Sequence, residues 1–152
     1  MKKLIVMLVL SSGFACTAQV PDHYKNSSPT GSPGKTTYYY NRNGTAAGRS
    51  RTGGNITYYY NGSGRSDGKS MTSGNTTYYY DGSGRSAGRA VQSGNTTYYY
   101  DRSGRSAGKS MTNGNTTYYY NRNGTTAGRA TTSSNTTYYY DGSGRSAGKS
   151  IK

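Results

Sequence analysis

The sequence contains no tryptophan and no glutamate, and only one histidine, one phenylalanine, one cysteine and three prolines among 152 residues. Catalysis needs unlike groups converging on one point, and His23 with five aspartates offers few. Asp22 and His23 fall in a Pro- and Ser-rich stretch, Asp67 replaces alanine at one repeat position, and Asp81, Asp101 and Asp141 recur in identical turns. Those three read as turn formers. No cluster has metal-ligand spacing, and Gly82-Ser83-Gly84 lacks the flanking strand and helix of a phosphate loop. The sequence therefore implies a non-enzymatic protein with no cofactor and no metal site.

Aliphatic residues are scarce as well. Hydrophobic residues make up 30% of the chain, against roughly 45–50% in an ordinary soluble domain. From Pro33 to Lys152 the large aliphatics are Ile56, Met71, Val91, Met111 and Ile151, too few for a conventional core. What abounds is glycine (23), tyrosine (19) and basic residues (19), with a formal net charge of +14.

Residues 1–18 read as a secretory signal of bacterial type. Lys2 and Lys3 open it, Leu4 to Leu10 form the apolar run, and Ser11 to Ala18 supply the small residues of an exit site. Seven apolar residues are too few to span a bilayer, which takes about 20. Two readings of Cys16 stay open. Cleavage after Ala18 would remove it; alternatively Gly13-Phe14-Ala15-Cys16 resembles a lipobox, which would make Cys16 the lipidated first residue of an envelope lipoprotein. Either places the protein outside the cytoplasm, secreted or in the periplasm or outer membrane, with membrane contact only through that lipid. Residues 19–32 read as a disordered tether.

Residues 33–152 form six tandem units of 20 residues without an insertion: 33–52, 53–72, 73–92, 93–112, 113–132 and 133–152. In each, Thr-Thr-Tyr-Tyr-Tyr or a close variant is strand-prone, a turn such as Asp81-Gly82-Ser83-Gly84 follows, and a weaker arm carries a central glycine that signals a bulge or corner. The expected fold is an all-β repeat of β-hairpin or β-solenoid units. Tyrosine must carry the burial, with Tyr39, Tyr59, Tyr79, Tyr99, Tyr119 and Tyr139 on one face and their flanking tyrosines on the other. Ordering each residue costs roughly 1–2 kcal/mol in backbone entropy, and no distinct capping unit stands out. A substantially disordered, ligand-dependent array is therefore the competing expectation.

Gly74-Asn75-Thr76-Thr77-Tyr78-Tyr79-Tyr80-Asp81-Gly82-Ser83-Gly84-Arg85 resembles the YD (Rhs-type) tyrosine-rich repeat. The Tyr-Asp and Gly-Arg elements recur at Tyr100-Asp101 with Gly104-Arg105 and at Tyr140-Asp141 with Gly144-Arg145; Asn41, Asn61 and Asn121 replace the Asp elsewhere, and Thr45 and Thr125 replace the Arg. The resemblance implies β-hairpin architecture and a glycan-binding surface. The aromatic repeats of cell-wall and choline-binding modules are similar more distantly, and those use tryptophan for the ligand cage.

Basic residues recur in register. Arg49, Lys69, Arg89, Lys109, Arg129 and Lys149 alternate strictly, a pattern that duplication of a two-unit segment explains, and Arg65, Arg85, Arg105 and Arg145 add a second series. Cationic ladders beside aromatic ones suit polyanions and glycans, since arginine pairs with phosphate or carboxylate and tyrosine stacks on sugars. The bland reading is a solvated edge that blocks aggregation. Asn-x-Thr triplets at Asn55, Asn75, Asn95, Asn115 and Asn135 are explained as turn-plus-strand chemistry. The expected function is binding of an anionic envelope polymer or extracellular glycan, with the Tyr39 series and both basic series as ligand-binding residues. Self-association into a surface matrix or fibre is the alternative. Nucleic acid would satisfy the same chemistry but export makes it a less available partner, and ice binding by the threonine array is opposed by the neighbouring tyrosines and charge.

Overall fold

The computed structural model describes residues 34–152; the signal segment, Cys16 and the 19–32 tether lie outside the described residues. Twelve strands follow in order: β1 (Lys35–Asn41), β2 (Ala46–Gly53), β3 (Ile56–Asn61), β4 (Ser66–Ser73), β5 (Thr76–Tyr80), β6 (Ser86–Ser93), β7 (Thr96–Asp101), β8 (Ser106–Asn113), β9 (Thr116–Asn121), β10 (Thr126–Ser133), β11 (Thr136–Asp141) and β12 (Ser146–Ile151). Each pairs antiparallel with its sequence neighbours, and β1 pairs with β12 to close a barrel. The units are thus hairpins laid side by side rather than coils of a solenoid. A closed ring has no terminal unit to cap, so the lack of a capping unit carries no penalty, and the described residues are strand and turn throughout.

Two kinds of turn alternate. At one end, which we call the upper end, Asp81 Oδ1 accepts the backbone N–H groups of Ser83 (2.9 Å) and Arg85 (3.0 Å), while the Gly84 N–H donates to the Asp81 carbonyl (2.9 Å). Only a side-chain oxygen is required, so Asn61 does the same for Ser63 and Arg65. Where Asn replaces Asp and Thr replaces Arg, the changes support each other. The Asn121 amide donates to Thr125 Oγ1 at 2.9 Å, and that hydroxyl donates to Asn123 Oδ1 at 2.8 Å. The lower turns have two central residues, such as Gly74-Asn75, with positive φ at the first of them (Gly74, 55°), as a II′ hairpin turn requires.

The central glycine of each second strand marks a bulge. In the β5–β6 hairpin Tyr79 opposes Gly88 but Tyr80 opposes Ser86, which leaves Ala87 unpaired, and the same shift recurs in all six hairpins. Bulges increase local twist and bend the strand, as barrel closure demands. Twelve strands about 4.8 Å apart, tilted by roughly 35–45°, enclose a backbone cylinder about 12 Å in radius.

The interior is built from tyrosine and small residues. Ser50, Ser70, Ala90, Ser110, Ala130 and Ser150 occupy one register position and are all buried. The hydroxyls of Tyr39, Tyr59, Tyr99 and Tyr139 lie 3.0–3.1 Å from Ser50, Ser70, Ser110 and Ser150. Tyr79 and Tyr119 come opposite the alanine-bearing strands. Below this layer, Thr52–Thr57, Thr72–Thr77, Thr112–Thr117 and Thr132–Thr137 share hydroxyl hydrogen bonds of 2.9–3.0 Å across directly opposed pairs. Tyrosine thus supplies apolar ring area while its hydroxyl finds a partner, which is how a chain so poor in aliphatics lines the inner wall of the barrel. The five large aliphatics stand on the other face; Met111, for example, is exposed.

One acid enters this setting. Ala127, at a bulge position, joins Tyr119, Ala130 and Tyr139 in the core, and the equivalent position in β4 is Asp67. Burial pushes the Asp67 carboxyl up from 3.8 to about 6. The fold favours the protonated form, so this stabilising share is present in full below 3.8 and is lost as pH rises through about 6. Asp67→Ala should raise stability at pH 7.5 by about 1 kcal/mol, a figure reduced for the carboxyl's remaining solvent contact. The gain should vanish at pH 3.5. Urea unfolding at the two pH values measures it, and an equal effect at both would exclude ionisation as the cause.

Candidate functional site

Alternation along the strands places Tyr38, Tyr40 and their equivalents on the outer face, opposite to the Tyr39 series. Arg49 opposes Tyr60 across β2 and β3, and its guanidinium lies 5.1 Å from the ring centre. The arrangement recurs as Lys69 over Tyr80 (5.6 Å), Arg89 over Tyr100 (5.0 Å), Lys109 over Tyr120 (5.7 Å) and Arg129 over Tyr140 (4.8 Å). The sixth, Lys149 over Tyr40 at 5.8 Å, bridges β12 to β1 and completes the circle. Each contact places a cation over an aromatic face and is worth about 0.5–1 kcal/mol where exposed.

Every cation also faces a second tyrosine. Lys69 opposes Tyr58 in β3 as well as Tyr80 in β5, and Arg89 opposes Tyr78 as well as Tyr100. Tyr38, Tyr78, Tyr98, Tyr118 and Tyr138 are 40–49% exposed, which leaves ring surface open to a ligand. The Arg/Lys alternation has a structural counterpart: Arg49, Arg89 and Arg129 are exposed, whereas Lys69, Lys109 and Lys149 are half-buried. The outer face is thus a belt of six stations, each an aromatic–cation–aromatic step.

The second basic series lies elsewhere. Arg65, Arg85, Arg105 and Arg145 project with Arg42, Arg102 and Arg122 from the upper turns, all exposed. The lower turns hold only Gly, Ser and Asn, and that end carries Lys35 and Lys152, so the upper end, with seven arginines against Asp81, Asp101 and Asp141, holds the larger share of positive charge. Between two upper turns, Asp101, Ser106, Ala107, Asn121, Arg122 and Asn123 line a shallow, open cavity of 430 Å³. Among the described residues no three His, Cys, Asp or Glu side chains gather as metal ligands.

Tyr39, Tyr59, Tyr79, Tyr99, Tyr119 and Tyr139 therefore do not share a surface with Arg49, Lys69, Arg89, Lys109, Arg129 and Lys149. The inner tyrosines sit close enough to influence one another's ionisation. Burial raises all six above 10.0, Tyr139 to about 12, and neighbouring inner tyrosines add to the effect at Tyr59, Tyr79, Tyr119 and Tyr139. The aromatic partners of the cations are the flanking tyrosines, which sequence reasoning did not single out. The signal that could have found them is the bulge. Without it, Arg89 would oppose Thr77 and share the face of Tyr79; the extra Ala87 shifts Arg89 opposite Tyr78 and onto the outside. Compared with protein-family models and with curated proteins, the sequence matches none.

Proposed function

We propose that this chain is an exported bacterial, non-enzymatic protein that binds polyanionic glycan at the cell surface through its outer belt. The observation that carries the reading is the sixfold recurrence of a cation laid on one tyrosine and flanked by another around the outside of the barrel. Cations pair with carboxylate, sulfate or phosphate, and the exposed Tyr38-type rings offer faces to sugar C–H groups. The upper-turn arginines add long-range attraction for an approaching anionic chain. The secretory signal and the YD-like pattern read from the sequence accord with a surface role.

Two physical arguments favour glycan over other settings. The strands are 5–8 residues long, short of the 9–11 or so that cross a bilayer, and a cation on a lipid-facing strand costs about 2–4 kcal/mol at the midplane. Closure of β1 on β12 leaves no unpaired edge for strand addition between chains, which weighs against a fibre assembled by edge pairing.

The test is retention on lipopolysaccharide or polyuronate against a neutral polysaccharide across a salt series. Replacing Arg49, Lys69, Arg89, Lys109, Arg129 and Lys149 together by Gln should weaken anionic binding by at least about tenfold and flatten its salt dependence, because fewer counterions are displaced. Undiminished binding by that variant would overturn the belt as the site.

A further inference from the structure

The belt runs around a closed ring, and that geometry has a consequence for how many ligand chains it meets. Following the sheet, the stations occur in the order Arg49, Lys69, Arg89, Lys109, Arg129, Lys149, and the last rests on Tyr40 of the first hairpin. Each lies two inter-strand spacings from the next, so neighbouring stations are about 10 Å apart across the strands. On a cylinder about 12 Å in radius, each step turns the outward direction by about 60°. Arg49 and Lys109, Lys69 and Arg129, and Arg89 and Lys149 therefore face opposite ways.

A chain of linked sugar rings is stiff on this scale. To engage all six stations it would have to bend through a full turn around the cylinder; running past as a nearly straight segment, it meets one or two neighbours. The stations on the far side stay open and offer the same aromatic–cation–aromatic step, with exposed arginine and half-buried lysine alternating around the ring. Resting on the glycan-binding reading above, we infer that the barrel is a bridging protein: one molecule holds two or more anionic polysaccharide chains at once and cross-links them. Linking through several equivalent stations raises the strength of the network far above that of any single station.

The experiment uses the folded barrel with two probes, a polyuronate tetrasaccharide and the long polyuronate. Titration calorimetry with the tetrasaccharide gives the number bound per barrel, and light scattering with the long polymer reads cross-linking. At intermediate protein-to-polymer ratios scattering should rise by about tenfold or more, then fall in protein excess as each chain becomes saturated separately. Two half-belt variants decide the matter: Arg49→Gln with Lys69→Gln and Arg89→Gln, and Lys109→Gln with Arg129→Gln and Lys149→Gln. All six substitutions are on the outer face, and circular dichroism verifies the barrel before use. Each variant should bind about half as many tetrasaccharides and lose the scattering peak. A native barrel that binds one tetrasaccharide, or binds several without scattering, would overturn bridging while leaving glycan binding intact. Scattering that persists in both half-belt variants would also overturn it, assigning cross-linking to the upper-turn arginines. No tetrasaccharide or polymer binding by the native barrel would remove the glycan reading itself.

Discussion

Gly108→Ala should unfold the barrel or cost it about 3 kcal/mol or more, while Gly114→Ala should cost only about 1 kcal/mol. Both glycines have positive φ, 134° and 56° respectively, so backbone preference alone does not separate them. Their surroundings do. A Cβ on Gly108 would stand 2.3 Å from the Tyr120 carbonyl oxygen and 3.3 Å from the Asn121 carbonyl carbon, both backbone atoms of the adjoining strand. They can yield only if the β8–β9 pairing shifts, and a shift at one junction is felt by a ring that must close. A Cβ on Gly114 would meet nothing within 4 Å. Ser134 already occupies the corresponding turn position with φ of 50°. Urea unfolding of the two variants, followed by far-ultraviolet circular dichroism, measures the difference. Equal costs would mean that the bulge glycine is not pressed against its neighbour, and the barrel register would be wrong.

Alkaline pH should unfold the protein cooperatively between about pH 10 and 12, with the inner tyrosines ionising as the barrel opens. These six phenols hold their protons more tightly in the fold than in the unfolded chain. Their contribution is complete below pH 10 and is lost as pH rises towards the folded values. For Tyr139, raised from 10.0 to about 12, the loss amounts to roughly 2–3 kcal/mol. Tyr79 and Tyr119 are shifted further, through burial first and then through their inner neighbours. Against a total stability of about 5–15 kcal/mol for a typical domain, a few such losses suffice. Tyrosinate absorbance and circular dichroism recorded on the same sample provide the check. Full ionisation of all tyrosines with the β signal unchanged would show that the Tyr39 series is not enclosed.

The strands, their turns, an irregularity at the central glycine and the two-faced division of tyrosines were legible in the sequence because each depends on chemistry within about ten residues, whereas hairpin or solenoid coil, and bulge or corner, stayed open. Thr-Thr-Tyr-Tyr-Tyr specifies a strand, Asp81 with Gly84 a turn, and Gly88 a local irregularity. Closure was not legible. Whether six hairpins spread into an open array or bend until β12 meets β1 depends on summed twist, and no single residue encodes that sum. The candidate site was half legible for a related reason. The cations announced themselves by recurrence, but their face depends on parity, and one unpaired residue such as Ala87 reverses parity for everything beyond it. Tyr79 and Arg89 look like neighbours in a ladder, yet a wall of backbone separates them.

The join between β12 and β1 also bears on how such a barrel can change size. Each hairpin contributes one rising and one falling strand, so gain or loss of a whole hairpin leaves the final strand antiparallel to the first and able to make the same join. Each such change alters the backbone radius by about 2 Å. All six units keep one length of 20 residues, although neighbours differ at 5 to 11 positions, so a whole unit gained or lost would leave the strand register intact. Girth is thereby set by copy number, with the antiparallel pairing between adjacent strands unchanged.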